Sequence, residues 1–230
     1  MVQISNRVLD PTFDILRLSE QPLEPLLKPT TVAVIGASNQ VGTAGYTLLW
    51  NLVNAPFHGT VYLVSSATAD ILGMAAHSSI KELPEPVDLA IIVAPLTETP
   101  TILQDCIAVG VRNALLVSSG FRESGAVAPQ IWQHLKQLVQ DSPLRLLGPN
   151  SLGIMNPRHG LNATLASAMA QPGNIGFISQ SGALSRAILN WSFQEKVGFS
   201  AFLSMGSMLD LDWGDVLRYL GNDLHTQSII

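Results

Sequence analysis

Charge is scarce in this chain. Only 13% of its 230 residues are Asp, Glu, Lys or Arg, against about 25% in an average soluble protein. The balance is acidic, with 17 Asp and Glu against 12 Lys and Arg and a formal net charge of −5. A nucleic-acid surface needs clustered cations to meet phosphates, so that class of partner is excluded. Disorder is excluded as well, because hydrophobic residues make up 47% and mean hydropathy is +0.31. Cysteine is nearly absent: the single Cys106 cannot close an internal disulfide, a usage expected of the reducing cytoplasm. Long hydrophobic runs are missing too. A spanning helix takes about 20 apolar residues, whereas runs such as 89–95 have strand length and end in Pro or Gly. The N-terminus lacks the basic start and apolar stretch of a signal peptide, so no membrane partner and a cytoplasmic location are expected.

Metal-ligand spacing is also lacking. The five histidines (His58, His77, His134, His159 and His225) form no ligand pair with each other or with Cys106. Asp210, Asp212 and Asp215 cluster before a helical stretch, where capping and dipole complementarity account for them.

What is present is an alternation of short apolar runs and helical patterns. Residues 1–30 read as an adaptor segment. Pro11, Pro22, Pro25 and Pro29 break any long helix there, and Phe13, Ile15, Leu16 and Leu18 could dock one short helix. From Thr31 the run Val32-Ala33-Val34-Ile35 has the continuous apolar, β-branched character of a strand buried on both faces. Strands are expected at 61–64, 88–94, 113–117 and 144–147, with helices at 42–54, 99–109 and 126–140. Residues 157–173, with Pro157, Gly160, Pro172 and Gly173, read as irregular. A second cycle follows, with strands at 174–178, 199–204 and 227–230 and helices at 181–196 and 213–220. Strands alternating with helices imply βαβ units and a parallel sheet. The expected division is 31–156 for a first domain and 157–230 for a second one, cut short inside a strand.

Two loops carry the chemistry. Gly36-Ala-Ser-Asn-Gln-Val-Gly42 lies between a strand and a helix, where free backbone N–H groups and the helix dipole favour a phosphate and glycine allows close approach. A plain strand-to-helix turn would have the same spacing. The dinucleotide fingerprint G-x-G-x-x-G is absent, because Ser38 stands where its second glycine would be. The second strand ends in Ser65-Ser66-Ala67, with neither the acid that holds an NAD ribose nor the Arg that meets an NADP phosphate. Ile178-Ser179-Gln180-Ser181-Gly182 is again strand, small polar turn and helix start. Its hydroxyls and N–H groups suit a phosphoryl group, and Ser181 also suits an N-cap. The nucleophile-elbow pattern G-x-S-x-G fails there, since Ser179 and Ala183 flank Ser181.

The ordered motifs TVAVIGAS (31–38), DLAIIVAP (88–95), SSGF (118–121), GPNSLGIMNP (148–157), GLNAT (160–164) and ISQSGAL (178–184) resemble the ADP-forming acyl-CoA synthetases, relatives of the succinyl-CoA synthetase α chain. The stretch from FDILR (13–17) onward looks most like the long members fused to a GNAT-type acetyltransferase. The resemblance covers 10–230. It implies an α/β fold: a Rossmann-like CoA-binding domain with a parallel sheet, followed by a truncated flavodoxin-like domain. It also implies that Gly36, Ser38, Asn39, Gln40 and Val41 meet coenzyme A, with Pro95, Val117, Ser118 and Ser119 as further contacts. Ser179, Ser181 and Gly182 match the helix start that receives a phosphohistidine, and Asn150 matches the active-site GPN turn. Family members convert acyl-CoA, ADP and phosphate reversibly to acid, CoA and ATP, through acyl phosphate and phosphohistidine.

Three departures qualify that expectation. Ser65-Ser66-Ala67 replaces the family's Asn-Pro-Lys, whose Lys helps hold CoA, so Lys81 or a partner chain would have to supply the charge. Ser151 replaces the Cys of the GPN turn. The family's phosphorylated His and its ATP-grasp domains lie beyond Ile230, so no catalytic residue is expected in this chain, and ATP or ADP binding would need those further domains. The expected partners are CoA or acyl-CoA and an ATP-grasp domain or subunit, in an oligomer when full length. A non-catalytic CoA- or nucleotide-sensing module is the alternative reading. A nicotinamide-dependent oxidoreductase is disfavoured by Ser65–Ala67.

Overall fold

A computed structural model describes residues 23–117 and 128–230. The docking residues Phe13, Ile15, Leu16 and Leu18 and the candidate contacts Ser118 and Ser119 lie outside the described residues.

The first unit opens with one turn of helix, α1 (Glu24–Leu27), whose Leu26 and Leu27 are buried. It continues through β1 (Thr31–Ile35), α2 (Ala44–Asn54), β2 (Thr60–Val64), β3 (Asp70–Ile71), β4 (Met74–His77), β5 (Leu89–Ile92), α3 (Thr99–Ala108), β6 (Asn113–Leu116), α4 (Ala128–Gln140) and β7 (Arg145–Leu147). The sheet order is β3-β4-β2-β1-β5-β6-β7. All pairings are parallel except β3 with β4. The reason for the apolar runs is visible in the packing. Successive side chains of a strand point to opposite faces. Val32, Val34, Leu89 and Ile91 therefore pack with Leu48, Leu49 and Leu52 of α2, while Ala33, Ile35, Ala90 and Ile92 pack on the other face with Leu103 of α3 and Leu135 of α4. Each fully buried Leu or Ile contributes about 1.5–3 kcal/mol.

The second unit comprises β8 (Gly153–Asn156), β9 (Leu161–Thr164), β10 (Gln171–Ser179), α5 (Gly182–Glu195), β11 (Gly198–Ser204), α6 (Trp213–Asn222) and β12 (Ser228–Ile229). Its sheet order is β12-β10-β11-β8-β9. β10 runs parallel to β11 and β12, whereas β8 is antiparallel to both β11 and β9. The stretch expected to be irregular therefore contains a hairpin strand. Gly160 adopts φ +72° after a 3-10 turn at Pro157–His159 and turns the chain into β9. Leu161 and Ala163 are then fully buried in a core shared with α2. Asn51 of α2 ties the two units together by donating from Nδ2 to the carbonyls of Thr164 at 2.8 Å and Ala166 at 2.7 Å. A third core cluster stacks Phe177 on Phe202 at 4.6 Å, with Leu189 of α5 packed in the same cluster.

A charged tie closes the other end of the interface. Arg145 on β7 donates from Nε to Asp210 at 3.0 Å and from Nη2 to Asp215 at 2.8 Å, with all three side chains mostly buried. Burial works against the guanidinium charge, but Asp210 and Asp215 outweigh it and raise its pKa. Burial pushes the Asp210 carboxyl up, while Arg145 and the Leu146 N–H oppose that shift. Asp212 and Asp215 also form a capping box at the start of α6. Arg145→Ala should cost about 2–3 kcal/mol in urea unfolding at neutral pH, because it strands partly buried carboxylates. A carboxyl with a raised folded-state pKa loses stability as pH rises through the carboxylate range. The deficit should therefore shrink as pH falls towards 4, and an equal deficit at both pH values would count against this account.

Candidate functional site

The strand order places both candidate loops. β2 lies on one side of β1 and β5 on the other, so the order reverses at β1 and leaves a crevice at its carboxyl end, where open α/β sheets bind ligands. β10 is flanked by β12 and β11 in the same way, which makes its carboxyl end a second switch point. The glycine loop leaves the first and the Ser179-Gln180-Ser181 turn leaves the second.

At the first switch point the geometry demands glycine. Gly36 donates from its N–H to the Val64 carbonyl at 3.2 Å, and Val93 donates to the Ile35 carbonyl at 2.8 Å. A Cβ on Gly36 would stand 2.1 Å from the Val93 oxygen, and its φ is +88°. Ser38 Oγ accepts from the Gln40 N–H at 3.0 Å, and Thr43 caps α2 by accepting from the Tyr46 N–H at 3.2 Å. Val41 stands exposed at the tip. Asn39 has a structural employment: its Nδ2 donates to the Asp70 carbonyl and its Oδ1 accepts from the Leu72 N–H, both at 2.9 Å, which pins the β3–β4 hairpin beside the loop. Val117 continues β6 by donating to the Ile92 carbonyl at 3.1 Å, and the exposed Pro95 leads into α3.

A cleft of about 330 Å3 opens at the ends of β1 and β2, and its lining includes Gly36, Ser65, Ala67, Ser78, Glu98 and Asp105, whereas Ser38, Asn39, Gln40, Val41, Pro95 and Val117 are not part of that lining. The serines of 65–66 and 78–79 supply hydroxyls. Among the described residues the lining holds two acids and no Lys or Arg. Glu98 and Asp105 were not among the sequence candidates. Their only sequence signal was position, at the start and inside of the helix that follows β5.

At the second switch point the serines serve their own turn. Ser181 Oγ accepts from the Leu184 N–H at 3.2 Å as the N-cap of α5, and Ser179 Oγ accepts from the Ser181 N–H at 3.1 Å. The first-turn N–H groups from Gly182 onward have no intrahelical acceptor. Asn150 sits nearby at φ +58°, just after a cis Gly148–Pro149 bond. Gly206 joins the pieces. Its carbonyl accepts from Gln180 Nε2 at 3.4 Å, and a Cβ on it would stand 2.2 Å from the Pro149 oxygen and 2.9 Å from the Asn150 carbonyl carbon. Ser207 donates to the Pro149 carbonyl at 2.8 Å, and Met205 donates to that of Ser179 at 2.8 Å. The structure thus brings Asn150 and Ser179–Gly182 to one place. Ser151 is 3% exposed and donates to the Ser204 carbonyl, so a hydroxyl does structural work at the position that departs from the family pattern.

Other candidates are spent elsewhere. Cys106 is fully buried, and burial pushes its thiol up to about 12, which removes it as a nucleophile at neutral pH. Among the described residues no three His, Cys, Asp or Glu side chains are grouped to hold a metal, and no helix is long and apolar enough to cross a membrane. A larger cleft of about 460 Å3 lies between α1 and α6. It is away from both switch points, and its Lys28 is paired with Glu24 at 3.2 Å and Asp223 at 3.7 Å, so its size carries less weight than the topology.

Residues 30–157 match the family model described as CoA binding domain, and residues 172–230 match the one described as succinyl-CoA ligase like flavodoxin domain. The chain belongs to the CoA binding domain family. More particularly, it resembles the CoA-binding part of the ADP-forming acetate–CoA ligases. Acetate–CoA ligase (ADP-forming) I of Archaeoglobus fulgidus is 40% identical over 90% of this chain and 30% of its own length. The α subunit of acetate–CoA ligase (ADP-forming) I of Pyrococcus furiosus is 36% identical over 90% of this chain and 46% of its own. The apo dinucleotide-forming acetyl-coenzyme A synthetase 1 of Candidatus Korarchaeum cryptofilum shares the fold at TM-score 0.85 and 33% identity, over 90% of this chain and 45% of that one. This chain therefore spans less than half the length of these relatives.

The two glycines of the first loop should respond differently to substitution. Both have φ +88°, but only Gly36 would place its Cβ against backbone, since nothing lies within 4 Å of one on Gly42. Gly42→Ala should cost about 1 kcal/mol in urea unfolding, and Gly36→Ala clearly more, about 3 kcal/mol. Equal costs would mean that the β1 and β5 ends are not held this close.

Proposed function

We propose that this chain is the CoA-binding and phosphoryl-receiving portion of an ADP-forming acyl-CoA ligase of the acetate–CoA type. The observation that carries the reading is the placement of two phosphate-suited loops at two topological switch points, in a chain 36–40% identical to ADP-forming acetate–CoA ligases. The proposed assignment gives CoA to Gly36, Ser38, Gln40 and Val41, with Pro95 and Val117 on the far side of the crevice. Asn39 supports that loop through the hairpin. Gly36 contributes closeness, because a ligand can approach its backbone with no side chain between. At the second site, Ser181 and Gly182 present the N-terminus of α5 to a phosphoryl group. The unpaired N–H groups and helix dipole there stabilise its negative charge without a cation. Asn150, held at positive φ against Gly206, faces the same junction. Transfer of the phosphoryl group to a histidine and on to ADP is assigned to further domains or a partner subunit.

Calorimetric titration of the 230-residue chain with CoA, acetyl-CoA, NAD and ADP tests this reading. CoA should bind and NAD should not. Binding of NAD without CoA would replace the ligase reading by an oxidoreductase. Ala67→Lys, which puts a cation into the cleft where the family carries one, should tighten CoA binding about tenfold, the scale of one added charge-assisted contact. Unchanged or weaker binding would show that the end of β2 does not meet the ligand.

A further inference from the structure

CoA carries its phosphates on an adenosine ribose and a pyrophosphate, yet the cleft at β1, β2 and β5 presents Glu98 and Asp105 and, among the described residues, no cation. Left without a counter-charge, the two carboxylates would repel such a ligand. A cation stands just outside. Lys81 belongs to the 3-10 turn Ile80–Glu82, directly after the lining residues Ser78 and Ser79. Its Nζ lies 2.6 Å from Asp105 Oδ1, so its charge is one hydrogen bond from the cleft wall.

The turn fixes the Lys81 backbone while leaving its side chain movable. Ser79 Oγ accepts from the Lys81 N–H at 3.3 Å, and Ile80 is buried. Glu82 is occupied with Ser78, accepting from its Oγ at 2.8 Å and its N–H at 3.1 Å, so Asp105 is the acid that holds the ammonium. The Lys81 side chain is 54% exposed and that of Asp105 34%, and pairs this wet are weak and easily exchanged. A phosphate dianion in the cleft offers the ammonium more charge and more acceptor oxygens than one carboxylate does.

Topology says which phosphate. In doubly wound folds the glycine loop after the first strand holds the pyrophosphate, and the end of the second strand meets the ribose and any phosphate on it. Lys81 follows β4, which pairs with β2 on the side away from β1, so it belongs to the ribose end. We infer that Lys81 is the cation that meets the ribose 3′-phosphate of CoA, and that Asp105 holds it in reserve at the cleft mouth until the ligand arrives. This rests on the reading that CoA occupies the cleft.

The test compares CoA with dephospho-CoA, which lacks only the 3′-phosphate, by calorimetric titration of the full chain. Lys81→Ala should weaken CoA binding about tenfold, the scale of one charge-assisted contact, and dephospho-CoA less than about twofold. Lys81→Arg should restore most of the CoA affinity, since it keeps the charge. Asp105→Asn should tighten CoA and leave dephospho-CoA nearly unchanged, because it releases Lys81 and removes a repelling charge. Thermal midpoints should barely move in any of these variants. If the unsubstituted chain binds CoA and Lys81→Ala weakens both ligands alike, or neither, the role of Lys81 is overturned and the CoA reading stands. If the unsubstituted chain binds neither ligand, both fall together.

Discussion

The close approach of two glycine-bearing segments organises the molecule. Gly148 lies against the end of β6, where a Cβ would stand 2.4 Å from the Leu116 oxygen, and Gly206 lies against Pro149 and Asn150. Leu209 and Ser207 donate to the carbonyls of Gly148 and Pro149 at 3.0 and 2.8 Å. Because these contacts join the end of β7 to the end of β11, the carboxyl ends of the two sheets meet at one junction. Each sheet has its switch point at those ends. The loops at Gly36 and near Ser179, 143 residues apart in sequence, each leave the carboxyl end of a strand at such a switch point. Asn150, Met208 and the two glycines carry positive φ within this short stretch, and strained backbone concentrated in one place is a common mark of a functional junction.

The scarcity of charge follows from the same architecture. β1, β5, β6, β8 and β9 are buried at every position, so long stretches have no solvent face on which to spend Lys or Glu. Where charge does enter the partly buried interior it is paired, as Arg145 is with Asp210 and Asp215, because an unpaired partly buried charge costs more than it returns. Ser151 does with a hydroxyl what burial requires of any polar group there, donating to one carbonyl while accepting from the Gly153 N–H at 3.0 Å.

How much of this could be read from the sequence depends on how the signal arises. The run Val32–Ile35 announced its strand because burial on both faces demands an unbroken apolar string, and 89–92 did the same. Fold class and both loops followed from the alternation of such runs with helical patterns. The short hairpin of β3 and β4 was missed, because Asp70 and Ile71 carry no period that two residues could show. β9 was missed because Gly160 and Pro157, read as breakers, are the hairpin's turn. The employment of Asn39 in that first hairpin depends on contacts 31 and 33 residues away, which local pattern cannot supply. The acids of the cleft were invisible for the same reason: Glu98 and Asp105 are ordinary surface residues of a helix until topology sets that helix beside β2.

On the proposed reading, the two sites would meet a phosphate by different means, and the contrast is informative. The α5 site has no cation in its turn. It relies on N–H groups and a dipole that are already oriented, so their attraction costs no reorganisation on binding, and Ser179 and Ser181 serve by keeping that turn in shape. The β1 cleft has orientation at Gly36 but acid on its walls, so fixed dipoles must work against Glu98 and Asp105. A preorganised loop can offset that repulsion only near its own N–H groups, within the reach of one helix turn. At the proposed ribose end, beyond β2, the field of the loop has faded. An anion can be accepted there only if a positive charge comes to it. Lys81, which already sits on the acid that creates the need, is such a charge.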